Sequence, residues 1–172
     1  MVAELLAILA ALFFGLNLAT SRRGLLHAYA YTGVFLSLVI GCPMYLLTSL
    51  LVGEFKDFTF DVYGLIAVSL AGLLHFSLGR YLLYRSVQLV GANVSGTITA
   101  SSALYSTILG VLLLKEELSA LAAVGVSLII VGVTMVSLRG LSAFKSLKGV
   151  SYALLTSVIF SVTAHLNRAL IY

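Results

Sequence analysis

The chain has 172 residues, 61% of them hydrophobic and 9% charged, with a mean hydropathy of +1.14 and a formal net charge of +4. A soluble domain carries roughly 25% charged residues, and no soluble fold of this length hides so much apolar surface. This composition excludes soluble enzymes and binding domains and leaves an all-α, polytopic transmembrane helix bundle. A β-barrel would show alternating segments of about 10 residues, whereas the apolar runs here are continuous.

Six apolar runs follow in chain order, at 2–21, 30–52, 62–88, 92–114, 118–138 and 149–171. Each is about 20 residues or more, enough to cross a hydrocarbon layer about 30 Å thick. The first reads as a span rather than a signal peptide, because it lacks a basic start and leads directly into further spans. It carries Asn17, an amide at membrane depth. The second holds the single Cys42 and the single Pro43. Cys42 has no second thiol, so a small apolar core residue is expected there and no disulfide or metal pair.

The third run places His75 about 20 Å along its helix, a rare ionisable group at that depth. It is expected either to bond a neighbouring carbonyl or to meet a solute or proton. Arg80 and Arg85 lie nearer the run's end. Snorkelling to headgroups is the expectation for both, with anion binding as the alternative.

The fourth run, "GANVSGTITASSALYSTILGVLLLKEELS", is crowded with hydroxyls. At 100° per residue they sort into two stripes. Ser95, Thr99, Ser102 and Ser106 share a narrow arc that predicts a helix-packing seam. Asn93, Thr97, Ser101 and Tyr105 form a broader arc that predicts a cavity lining, since Asn and Tyr need partners in a dry interior. Glu116 and Glu117 end the span and are expected to cap the next helix. In the fifth run Gly125 and Gly132 share a face and predict close packing on another helix. His165 and Asn167 in the sixth flank Arg168 in the half of the bilayer opposite the basic connectors.

Alternating the loops between two sides gathers Arg22, Arg23, Arg80, Arg85, Arg139, Lys145 and Lys148 on one, with no acid. Lys56, Lys115 and Arg168 fall on the other with all 6 acids. The positive-inside rule makes the first side cytoplasmic and puts both ends of the chain outside. The net charge thus reports orientation and headgroup contact, with membrane lipid as partner and no nucleic acid. No nucleophile stands beside a base, no His or Cys cluster could hold a metal, and no phosphate loop is present. No enzyme and no cofactor is expected.

"AILAALFFGLNLATSR" (7–22) aligns with "ALLTSVIFSVTAHLNR" (153–168), with Ala, Leu, Phe and Arg coinciding at four positions. The second copy follows five spans and the charged connector "RGLSAFKSLKG". An odd repeat places its copy upside down, as in inverted-topology transporters. The expected division is a first repeat at 1–140, a connector at 141–148, and the first helix of a second repeat at 149–172.

The stretch "LLYRSVQLVGANVSGTITASSALYSTILGVLLLKEELSALAAVGVSLIIVGVTMVSL" resembles the EamA-type repeat of the drug/metabolite transporter superfamily. It has a Tyr-containing span end, a small-residue helix start, the acidic turn Leu114-Lys115-Glu116-Glu117-Leu118 and the Gly-rich "VGVSLIIVGV". The resemblance covers 1–138 as one repeat and 149–172 as the opening of another. It departs in two respects: the proline often found midway along the family's fourth helix is absent from "SSALYST", and many ten-span members place the N-terminus inside, opposite to the orientation the charges give here. The resemblance implies a ten-span carrier of two five-helix repeats that moves small molecules by alternating access. The expected path lies between spans one, three and four and their counterparts in a missing C-terminal half or a second chain. Asn17, His75, Asn93, Thr97, Ser101 and Tyr105 are the expected path residues, in the cell membrane. The rival reading is a non-transporting assembly subunit that pairs with another chain.

Overall fold

A computed structural model describes residues 2–53, 62–114, 119–139 and 146–169, with side chains at 5–53, 62–112, 119–135 and 146–166. Glu116 and Glu117 as a cap, the side chains of Asn167 and Arg168, and connector residues 140–145 lie outside these. Six helical segments are found: α1 (Val2–Leu25), α2 (Ala30–Val52), α3 (Val62–Val90), α4 (92–114), α5 (Ala120–Arg139) and α6 (Leu147–Ala169). α1, α2, α3 and α6 are long and apolar enough to cross a membrane. The other two differ for visible reasons. α4 is broken at Ser101, and the described apolar part of α5, Ala120–Met135, is shorter.

α3 is continuous but not uniform. Leu73–Gly79 winds as a π-helix, in which the Arg80 N–H reaches five residues back to the His75 carbonyl. Such single wide turns cluster at functional sites. α4 bends without a proline. Its arms Ala92–Ala100 and Ser102–Leu114 meet at Ser101, whose hydroxyl donates to the Ile98 carbonyl at 2.6 Å. A hydroxyl that bonds its own helix carbonyls competes with the backbone ladder there and bends the helix. α3 and α4 are joined by Gly91 alone, at φ 87° and ψ 163°, a conformation that disfavours any side chain.

α6 sits at the centre, packed on α3 and on both arms of α4, and is far more buried than α1 or α2. Two glycines allow the close approach. A Cβ on Gly79 would stand 2.8 Å from Phe160, and one on Gly149 would stand 2.6 Å from Val90. Gly96 does the same between α4 and α1, with Leu18 2.7 Å away. Gly125 and Gly132, expected to pack closely, have no atom within 4 Å of a built Cβ. Gly132 instead lines a cavity that it shares with α1, α4 and α6, so the spacing of two glycines along one face was not a close-packing signal within the chain.

Two small apolar clusters hold the bundle. One joins Leu18, Leu25, Ala30, Leu83, Tyr84 and Val87, and the other joins Val90, Val94, Ile98 and Ala153. The buried set is otherwise hydroxyl-rich: Ser86, Ser95, Thr99, Thr156, Ser157, Ser161 and Thr163. Large apolar side chains mostly face outward. Lipid tails are as apolar as leucine, so small and hydroxyl residues that let backbones approach do the packing instead.

Side-chain contacts fix the directions. Arg22 near the end of α1 reaches the carbonyls of Val87 and Gln88 near the end of α3, so α1 and α3 run in parallel. α6 begins where α3 ends, with Gly149 against Leu89 and Val90. It then runs back along α3, meeting Gly79 at Thr156 and His75 at Thr163. α1 and α6 are therefore antiparallel.

Candidate functional site

His75 lies in the π-helical stretch of α3 and is half-buried. Its ring stacks on Phe160 of α6 at 4.2 Å between centroids, 16° from parallel. Phe76 meets it edge-on at 5.0 Å. Nδ1 lies 2.9 Å from Thr163 Oγ1, so the expected carbonyl partner is a hydroxyl on another helix instead. The Thr163 hydroxyl proton has its own acceptor, the Ile159 carbonyl at 2.9 Å. The network thus assigns the imidazole proton to Nδ1 and leaves Nε2 as an acceptor. His75 joins α3 to α6 and lines none of the cavities described below.

The other five expected path residues are divided among three cavities. Asn17 lines one of about 640 Å³ between α1, α2 and α3. Asn93 and Thr97 line one of about 810 Å³ between α1, α4, α5 and α6. Ser101 and Tyr105 line a smaller one of about 290 Å³ between α4, α5 and α6. The structure brings Asn93 to Thr97, whose hydroxyl donates to the Asn93 carbonyl at 2.8 Å, and Ser101 to Tyr105. It does not gather all six.

The narrow stripe of α4 splits at the bend. Ser95 and Thr99 are fully buried where the first arm packs, while Ser102 and Ser106 beyond the bend are only half-buried. The Ser95, Thr99, Ser86 and Ser161 hydroxyls and His165 Nε2 are buried with no hydrogen-bond partner among the described residues.

The cavity between α1, α2 and α3 contains a charge that sequence reasoning sent elsewhere. Arg80 lines it together with Asn17, Ser21, Tyr45, Phe76 and Tyr84. Its guanidinium lies 5.3 Å from the centre of the Phe76 ring, one turn toward the start of the helix. Snorkelling to the nearer helix end would require the opposite direction. The legible signal was the tilt of every helical Cα–Cβ bond toward the N-terminus, which for α3 points into the membrane. Arg85 does turn toward the helix end, donating to Gln88 Oε1 at 3.1 Å. Cys42 is not a core residue but an exposed one lining the same cavity as Arg80.

The basic end is tied together by two side chains. Arg22 donates to the Gln88 carbonyl at 3.0 Å and to that of Val87. Gln88 Nε2 in turn donates to the Leu25 and Ala28 carbonyls at 3.1 and 2.9 Å. The Val87 carbonyl also accepts the Gly91 N–H at the cap, at 3.1 Å, and carbonyls in a helix's last turn carry the negative end of its dipole, so a guanidinium is well matched to them. Among the described residues no group of three His, Cys, Asp or Glu could hold a metal ion.

Apolar helices wrapped around a hydroxyl-lined interior, with largely apolar cavities that carry a few polar side chains, define a multi-pass membrane helix bundle. Residues 1–138 match the EamA-like transporter family, and the chain belongs to that family. The family is one of transporters of small molecules and not of enzymes. No curated protein and no solved structure matches the chain.

Proposed function

We propose that the chain is a secondary carrier, or the N-terminal half of one plus one further helix, that moves a small molecule across the cell membrane by alternating access. One observation carries this reading beyond family membership: α1 and α6, whose sequences align, run in opposite directions within one bundle. A repeat of five helices followed by an inverted copy requires that arrangement. The unmatched apolar surface and the cavities beside α1 are then the faces on which four further spans, or a second chain, close the path. Six crossings with both ends outside follow from the basic excess at the shared end of α1, α3 and α6.

The solute site belongs in the cavity between α1, α2 and α3. It is the cavity that combines a guanidinium with Asn17, hydroxyls and aromatic rings. The cavity holding Asn93 and Thr97 is lined chiefly by small residues and serves as the surface on which helices slide. Flux of a broad metabolite panel into proteoliposomes holding the full-length protein tests the reading. Flux of at least one solute, altered by Asn17→Ala, is expected. No flux above empty vesicles for any of them, with the protein cross-linking to an obligate partner, would favour an assembly subunit.

A further inference from the structure

Arg80 stands about 15 Å from the end of α3 at Val90, and its guanidinium turns back along the helix toward Phe76, further from that end. A charge at such depth is costly and finds a partner or lines a wet cavity. Its guanidinium hydrogen-bonds to no described residue. The Phe76 ring meets it as a cation–π surface but leaves its five N–H donors free. No carboxylate lines the cavity. Arg85 and His27 line a second cavity of about 520 Å³ that shares Leu25 and Ala28 with it, at the basic end. Arg80 and Arg85 place positive charge on the linings of these two neighbouring cavities, and cationic linings concentrate anions.

We propose that the cavity between α1, α2 and α3 is an anion site, with Arg80 as its charge-bearing group and Phe76, Tyr45 and Tyr84 as its apolar walls. The ligand is a small organic anion: a carboxylate or phosphate for the planar, bidentate guanidinium, joined to an apolar part that meets the rings. Asn17 and Ser21, on the α1 wall, supply donors and acceptors for its remaining polar atoms. As a statement of the carrier's substrate class this rests on the transport reading above. As a binding site it does not.

Binding of radiolabelled benzoate to the full-length protein in phosphatidylcholine nanodiscs tests it, with benzyl alcohol as the neutral isostere. The wild type is expected to favour benzoate about tenfold or more. Arg80→Gln should abolish that preference, and Arg80→Lys should keep part of it, lacking the bidentate fork. Equal binding of the two probes by the wild type overturns the proposal, even if the Gln variant does not fold. So does an undiminished preference in Arg80→Gln. Repeating the titration in discs containing phosphatidylglycerol separates two sources of the same anion chemistry. Competition that disappears in Arg80→Gln assigns the site to a lipid headgroup, and no competition assigns it to a soluble anion. Benzoate binding without flux of any solute keeps the site and removes the carrier. Flux of neutral solutes alongside equal probe binding does the reverse.

Discussion

His75 Nδ1 and Thr163 Oγ1 meet at 2.9 Å and join α3 to α6 across 88 positions of sequence. The contact lies in the π-helical turn, so it fixes the one stretch of α3 whose backbone is not α-helical. Thr163→Val keeps the shape and removes the acceptor. It should destabilise the protein by about 1 kcal/mol. A double-mutant cycle with His75→Phe, which keeps the stack on Phe160, should show a coupling of about 0.6 kcal/mol in denaturant titrations. Strictly additive effects would show that the bond contributes nothing.

The Arg22 clamp on the end of α3 makes a separate prediction. Arg22→Ala should cost about 1 to 2 kcal/mol, because it leaves the Val87 and Gln88 carbonyls without the cation that matches them. Gln88→Leu removes the bonds to Leu25 and Ala28 and should add little to Arg22→Ala, since both tie the same two helix ends. Thermal unfolding of the single and double variants checks this.

Glycines of identical sequence appearance should respond oppositely to alanine. Gly79→Ala drives a methyl into Phe160, whose ring is held by its stack on His75 and cannot retreat freely. A loss of about 1 to 3 kcal/mol is expected. Gly125→Ala and Gly132→Ala meet nothing in this chain and should gain about 0.4 to 1 kcal/mol through helix preference. Parallel melting curves of the three variants separate the cases.

Hydropathy made the helices legible, and the 100° periodicity made the burial of Ser95 and Thr99 legible. Both depend on local composition alone. The bend at Ser101 was not legible, since no proline marks it and the Thr97 and Thr107 hydroxyls on the same helix make bonds of the same kind with no break. That bend is why one polar arc of α4 is shared between two cavities. Nor did the sequence distinguish Gly79 from Gly132, because the difference is whether Phe160 of a distant helix stands opposite. His75 stood out by depth, but its partner Thr163 is set by how α6 packs. Arg80 was misdirected because its distance from the helix end was weighed without the tilt of its Cα–Cβ bond.

The opposed directions of α1 and α6 bear on the architecture most directly, and cysteine labelling from the two faces of the membrane measures them. In a Cys42→Ser background of the full-length protein, Ser21→Cys near the end of α1 and Ser151→Cys near the start of α6 should react from the same face, the cytoplasmic one. Leu5→Cys and Leu166→Cys, at the far ends of those helices, should react from the other. Reaction of Ser21→Cys and Ser151→Cys from opposite faces would mean that the two helices cross in the same direction, and would contradict the inverted repeat and the carrier built on it.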